Sequence, residues 1–192
     1  MSPNTGMAEI KDRRKAAPMA QPSGHAVRHD AVTGLPNPAL FSDRLHNAVA
    51  QAQRHDWRLA VMFIELDALN SIIDKHGRDV GDQVLQLVAR RLQALVRGGD
   101  TVSRRGAGEF LFLMLEAKDE ANVVTFAGTI IERIAQACEV DGASLTVKSS
   151  IGIALYPEDG RSAYELLKHA DLAMAAAKQQ GKNVVMRSQM PQ

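Results

Sequence analysis

Apolar and polar positions along this chain fall into blocks of two periods, and each change of period marks a predicted element. In "HDAVTGLPNPALFSDRL", Thr33 and Gly34 read as a turn, Asn37 as a helix N-cap and Pro38 as the first helical residue, with a helix running on through Leu45 and Ala48. The run "RLAVMFIEL", residues 58–66, is short, continuously apolar and closed by acidic residues. That pattern predicts a strand buried on both faces, central in a sheet. A short helix is expected over Asn70 to His76. Beyond it Val80, Val84, Leu87, Val88, Leu92 and Leu95 recur at helical spacing, and Gly98 with Gly99 predicts the stop.

The β-like runs "TVSRR" and "EFLFLML" flank "GAG" at residues 106–108, the pattern of a hairpin with a glycine-permitted turn. Val123, Phe126, Ala127, Ile130, Ile131 and Ile134 predict another helix. The long β run "SLTVKSSIGIALYP" follows, then a helix carrying Leu166, Leu167, Ala170, Ala173, Met174 and Ala177, and a last strand "NVVM". A hairpin mixed with crossover helices argues for an α/β fold with one mixed central β-sheet flanked by helices, a ferredoxin-like sandwich. Residues 1–28 are rich in Pro, Ala, Gly and Ser without periodicity and read as a flexible tail. The domain is therefore expected over 29–188, with 189–192 a short C-terminal tail.

Composition narrows the function classes. Lys plus Arg number 23 against 22 for Asp plus Glu, a formal net charge of +1. Nothing in that balance drives the chain toward nucleic acid or an anionic membrane, so an anionic ligand must be bound locally. The single cysteine, Cys138, lies in an apolar helical pattern and reads as a small core residue, which fits a reducing cytoplasm. No apolar run approaches the roughly 20 residues of a transmembrane helix, and no signal peptide is evident.

Four separated segments occur in one order: "HDAVTGLPN", "GRDVGDQVL", "RRGAGEF" and "SSIGIALYP…LLKHADLAMAAAKQQGKN". As a set they resemble the motifs of the GGDEF domain of the diguanylate cyclase family, over essentially residues 29–188. The resemblance implies a nucleotidyl-cyclase, palm-like core and a reaction in which two facing domains join two GTP molecules into cyclic di-GMP. Such chemistry needs a divalent metal, Mg²⁺, to activate the attacking oxygen and neutralise the triphosphate, and carboxylates to hold it.

The departures from the family pattern bear on that chemistry. The first-strand metal-binding aspartate corresponds to Glu65, which keeps the charge on a longer side chain. In the signature turn Gly106, Glu109 and Phe110 match, whereas Ala107 replaces a glycine and Gly108 replaces the second metal-holding carboxylate. Glu109 is at most a catalytic remnant, because adjacent strand residues point to opposite faces. In the guanine-binding segment Ile73 replaces an asparagine, while Asp74 and Asp82 match. Lys178 corresponds to a phosphate-contacting lysine and Lys182 replaces an arginine, and the family's Phe-Lys pair is Leu69 and Asn70.

The segment "RGGD", residues 97–100, matches the family's product-inhibition motif R-x-x-D. A guanidinium can engage the O6 and N7 acceptors of guanine in a fork, and a carboxylate can accept from its N–H edge. The alternative is that Arg97 only complements a helix C-terminus and Asp100 only starts a strand after a glycine turn. The expectation is a degenerate GGDEF-like domain that binds cyclic di-GMP through Arg97 and Asp100, makes none, and reports by changing self-association or a signalling protein partner. A slow diguanylate cyclase that retains GTP and Mg²⁺, and a scaffold that binds no nucleotide, are the alternatives.

Overall fold

The computed structural model describes residues 28–188, apart from 141 and 182. The expectations for residues 1–27, for the C-terminal tail and for Lys182 lie outside the described residues, whereas Arg28, assigned to the tail, pairs with Asp43 at 2.7 Å. The chain runs α1 Pro38–His55, β1 Leu59–Asp67, α2 Leu69–His76, α3 Arg78–Gln93, β2 Thr101–Gly106, β3 Glu109–Met114, α4 Glu120–Ala135, β4 Cys138–Val140, β5 Ala143–Leu145, β6 Lys148–Tyr156, α5 Ala163–Gln179 and β7 Val185–Arg187. The main sheet has the order β2-β3-β1-β6-β7. Its pairs are antiparallel except the parallel β6–β7 pair. The expected mixed sheet flanked by helices is found, with β1 at its centre.

Two-residue alternation distributes β1 between two cores. Ala60, Met62, Ile64 and Leu66 pack with α3 and α4 residues such as Val84, Val88, Ala127 and Ile130. Leu59, Val61 and Phe63 pack with Phe41 and Leu45 of α1 and Leu166 and Ala170 of α5. Because side chains two apart share a face, Glu65 and Asp67 continue the second row at the end of the strand. The pleat itself therefore delivers two carboxylates to the α5 side of the sheet.

The helix starts follow from local chemistry. Asn37 accepts from the Leu40 N–H with Pro38 in the first turn, and Ser162 and Glu165 form a reciprocal capping box at the head of α5. Three expectations are corrected. The third helix ends at Gln93, five residues before Gly98, and the chain continues through i to i+3 turns from Leu95 and Val96 to the Leu92 and Gln93 carbonyls. These turns keep Leu95 and Val96 against the core, so helical spacing outlasts the helix. Cys138 is in β4, not a helix, buried with its thiol donating to the Leu145 carbonyl at 3.2 Å. The long β run is broken after Leu145, and its first piece, β5, pairs with β4 in a separate two-stranded sheet.

Candidate functional site

The opening segment is fastened to the signature hairpin by one arginine. Asp30 accepts from the Thr33 N–H at 2.8 Å and its hydroxyl at 2.7 Å. It also receives Arg104 Nη1 at 3.0 Å, while Arg104 Nη2 donates to the Ala107 carbonyl at 3.1 Å. Burial pushes the Asp30 carboxyl up, yet the Thr33 and Arg104 hydrogen bonds outweigh it and hold the group below the ordinary aspartate range. The hairpin turn consists of Ala107 and Gly108, between the paired residues Gly106 and Glu109. Neither Gly106 nor Gly108 has a left-handed φ, so the expected glycine-permitted backbone is not what this turn uses. Gly108 sits in a tight spot: an added Cβ would lie 3.1 Å from Leu69 Cδ2 and 3.2 Å from Leu66 Cβ, so these side chains would have to give by a few tenths of an ångström.

Glu65, Asp67, Gly108, Glu109 and Lys178 wall a cavity of about 210 Å³. Lys178, on the last turn of α5, places its ammonium 2.7 Å from Glu65 Oε1. The hydrogen bond to Glu65 raises the Lys178 ammonium above the ordinary lysine range, against the effect of burial, with Asp67 and Glu109 adding to the rise. Glu65, which the resemblance would make a metal ligand, is thus paired with an internal cation. Glu109 lies directly across from Glu65 in the β1–β3 register, and so on the same face. Its carboxylate is 3.6 Å from Arg105, whose guanidinium lies 4.9 Å from the Phe63 ring centroid. Alternation does separate Glu109 from position 108, but Glu109 is the one that shares the face of Glu65.

The Mg²⁺ that the resemblance implies does not fit this donor set. Position 108 has no side chain and Glu65 is paired with Lys178. Among the described residues no group of three His, Cys, Asp or Glu side chains is placed to hold a metal ion. The segment that the resemblance assigns to guanine offers no polar side chain at position 73. Ile73 packs against the core, and its Cγ1 lies 2.5 Å from where a Cβ on Gly81 would be. Ile73, where the resemblance implies an asparagine, makes a helix–helix contact between α2 and α3. Asp74 is exposed and Asp82 half-buried, and neither walls the cavity of Lys178.

The Arg97–Asp100 segment is a closed turn in which the Asp100 N–H donates to the Arg97 carbonyl at 2.9 Å. Gly99 has φ +95°, a conformation that only glycine adopts without strain. Asp100 Oδ1 accepts from the Leu115 N–H at 2.9 Å and Oδ2 from the Arg97 N–H at 3.3 Å. Burial pushes the Asp100 carboxyl above the ordinary aspartate range, partly offset by these N–H donors. Each oxygen keeps a second lone pair, and the Arg97 side chain is exposed. The pair is a rigid carboxylate beside a free-standing guanidinium.

Sequence reading passed over Asp67. It is 7% exposed and accepts from Ser150 Oγ at 3.2 Å and the Asn183 N–H at 3.3 Å. The available signal was its place two residues after Glu65 on a buried strand. No helix among the described residues is long and apolar enough to cross a membrane.

Comparison with known proteins places these features in a family context. The family model for the diguanylate cyclase GGDEF domain matches residues 27–184. The bifunctional diguanylate cyclase/cyclic di-GMP phosphodiesterase MucR of Pseudomonas aeruginosa is 44% identical over 155 residues, 81% of this chain and 22% of MucR. The chain thus spans about a fifth of that relative's length. The GGDEF domain of TpbB from Pseudomonas aeruginosa superposes with a TM-score of 0.82 at 36% identity, covering 84% of this chain and 94% of that one. A microbial GGDEF domain described in its interaction with cyclic di-GMP is 26% identical, with a TM-score of 0.73 over 85% of this chain and 97% of that one.

Proposed function

This chain belongs to the GGDEF domain family, and on that premise we propose that it is a cytoplasmic module that binds cyclic di-GMP through Arg97 and Asp100 without synthesising it. The observation that carries the reading is the contrast between the two sites. The synthetic site has lost one carboxylate at Gly108, and its other, Glu65, is held by Lys178 at 2.7 Å. The Arg97–Asp100 turn keeps both recognition groups on a backbone closed by three hydrogen bonds, from the N–H groups of Arg97, Asp100 and Leu115, and by the left-handed conformation of Gly99. Recognition by hydrogen bonds needs a fixed fork and no metal. The Arg97 guanidinium donates to guanine O6 and N7, and Asp100 accepts from the base's N–H edge with its remaining lone pairs.

The competing reading, a slow cyclase acting on GTP, draws on Glu109 lying across from Glu65. It requires Lys178 to leave Glu65 and a donor other than position 108, so the pairing in the structure disfavours it. Binding is expected to be reported through self-association or a protein partner.

Calorimetry on the full chain tests the assignment. Arg97→Ala is expected to weaken cyclic di-GMP binding by about 1–3 kcal/mol, and Arg97→Lys to restore only part of it, because an ammonium cannot engage two acceptors in one plane. Unchanged affinity in the Arg97→Ala, Asp100→Ala double variant would place the ligand elsewhere.

A further inference from the structure

On the face of the sheet that carries α1 and α5, the two helices leave a cleft of about 440 Å³ between them, within the usual range for a small-molecule site. Its floor is sheet, with Phe63 of β1, Leu111 of β3 and Arg105 of β2. Phe41 of α1 and Leu167 of α5 are its apolar walls, and Tyr164, 74% exposed, stands at the rim. The cleft shares no lining residue with the cavity of Lys178 or with the Arg97–Asp100 turn.

Three charged side chains line the cleft: Arg105, Lys168 and Asp171. Arg105 Nη1 is 3.6 Å from Glu109 and 4.0 Å from Asp171, both longer than the roughly 2.7–2.9 Å of a charge-assisted hydrogen bond. The guanidinium is positioned instead against the Phe63 ring, 4.9 Å from its centroid. Its N–H groups make no hydrogen bond among the described residues. Lys168 is exposed and pairs with no carboxylate among the described residues. Two cations against one carboxylate leave the lining with one positive charge in excess. The other carboxylate nearby, Glu109, lines the cavity of Lys178 and acts on that ammonium as well.

A single excess charge is matched by a monoanion. A phosphate monoester, with close to two charges at neutral pH, would bring unmatched charge toward Asp171 and lose hydration against Phe41, Phe63 and Leu111. A carboxylate on an apolar body satisfies both parts of the cleft. Its two oxygens fit the N–H fork of a guanidinium, and its hydrocarbon displaces water from the apolar walls.

We propose that this cleft binds a small apolar carboxylate, its carboxyl group on Arg105 with Lys168 as the second cation, and its hydrocarbon body between Phe41, Phe63, Leu111 and Leu167. The inference does not rest on the reading of Arg97 and Asp100. Calorimetric titration of the full chain with naphthylacetate is expected to give saturable binding with Kd below about 1 mM. Naphthylacetamide, the same shape without the charge, should bind at least about fivefold more weakly. Arg105→Gln should weaken naphthylacetate by about tenfold and leave the amide nearly unchanged, while Arg105→Lys should keep part of the affinity, because an ammonium lacks the fork. Arg90→Gln removes an equal charge from the exposed face of α3, outside the cleft, and should change neither titration. Absence of saturable binding up to about 1 mM naphthylacetate, equal affinity for acid and amide, or equal loss in Arg105→Gln and Arg90→Gln overturns the proposal. The comparison of acid with amide uses the unmodified chain and so decides whether or not a variant folds.

Discussion

Given GTP and Mg²⁺, the purified chain is expected to release no cyclic di-GMP, and Gly108→Asp alone is expected not to restore synthesis. Removing a single stabiliser of transition-state charge commonly costs about 10²- to 10³-fold in rate. On the proposed reading three departures coincide: position 108 has no carboxylate, Glu65 is bound by Lys178, and Ile73 packs against Gly81 where the resemblance implies a guanine contact. Restoring one carboxylate leaves the other two defects in place. It also adds a Cβ 3.1 Å from Leu69 and 3.2 Å from Leu66, so the turn must shift by a few tenths of an ångström to admit it. Product formation by the unmodified chain at about 1 per second or faster, measured by chromatography of the reaction mixture, would contradict this account. Recovery of such a rate in Gly108→Asp would show that Lys178 yields Glu65 readily to a metal.

The largest effect on stability is expected at Gly152, in the middle of β6. A Cβ there would lie 2.1 Å from the Ala170 carbonyl oxygen and 2.1 Å from the Met174 nitrogen, both backbone atoms of α5. Neither can rotate away, so the whole helix must lift from the sheet. Lifting it opens the packing of Leu166, Ala170, Ala173, Met174 and Ala177, all buried. Gly152→Ala is therefore expected to cost about 3 kcal/mol or more, a fall in melting temperature of roughly 6–12 °C for a domain of this size. Gly128→Ala is the control, since a Cβ at that position in α4 meets nothing within 4 Å. The same chemical change there should stabilise by about 0.5–1 kcal/mol. Thermal unfolding of the two variants checks both signs, and a near-wild-type Gly152→Ala would mean that α5 packs less closely than described.

Most of the fold was legible because local and global preferences agree. Asn37 and Pro38 announce α1, and the unbroken apolar run before Glu65 announces a strand covered on both faces. Where elements are short, pattern fails. A three-residue strand such as β4 has too few positions to show a period, and Cys138 was accordingly assigned to a helix. The break after Leu145 is invisible because residues on both sides have strand-forming side chains. At the candidate site the identities were readable and the pairings were not. Lys178 and Glu65 are 113 positions apart, and a charged pair at that separation leaves no local signature. The closeness of Glu109 to Glu65 depends on register, which the turn composition alone does not fix. Arg97 and Asp100 could be singled out from spacing, but the use of the Asp100 carboxylate to tie the turn to Leu115 could only be seen in three dimensions.

The central claim is that recognition of cyclic di-GMP outlives the metal-dependent chemistry, and it is tested most directly by titrating the full chain with cyclic di-GMP in the presence and absence of excess EDTA. Hydrogen bonds from Arg97 and Asp100 need no metal, so calorimetry should give saturable binding with the same affinity under both conditions. No saturable heat, or binding that vanishes when metal is chelated, would contradict the account.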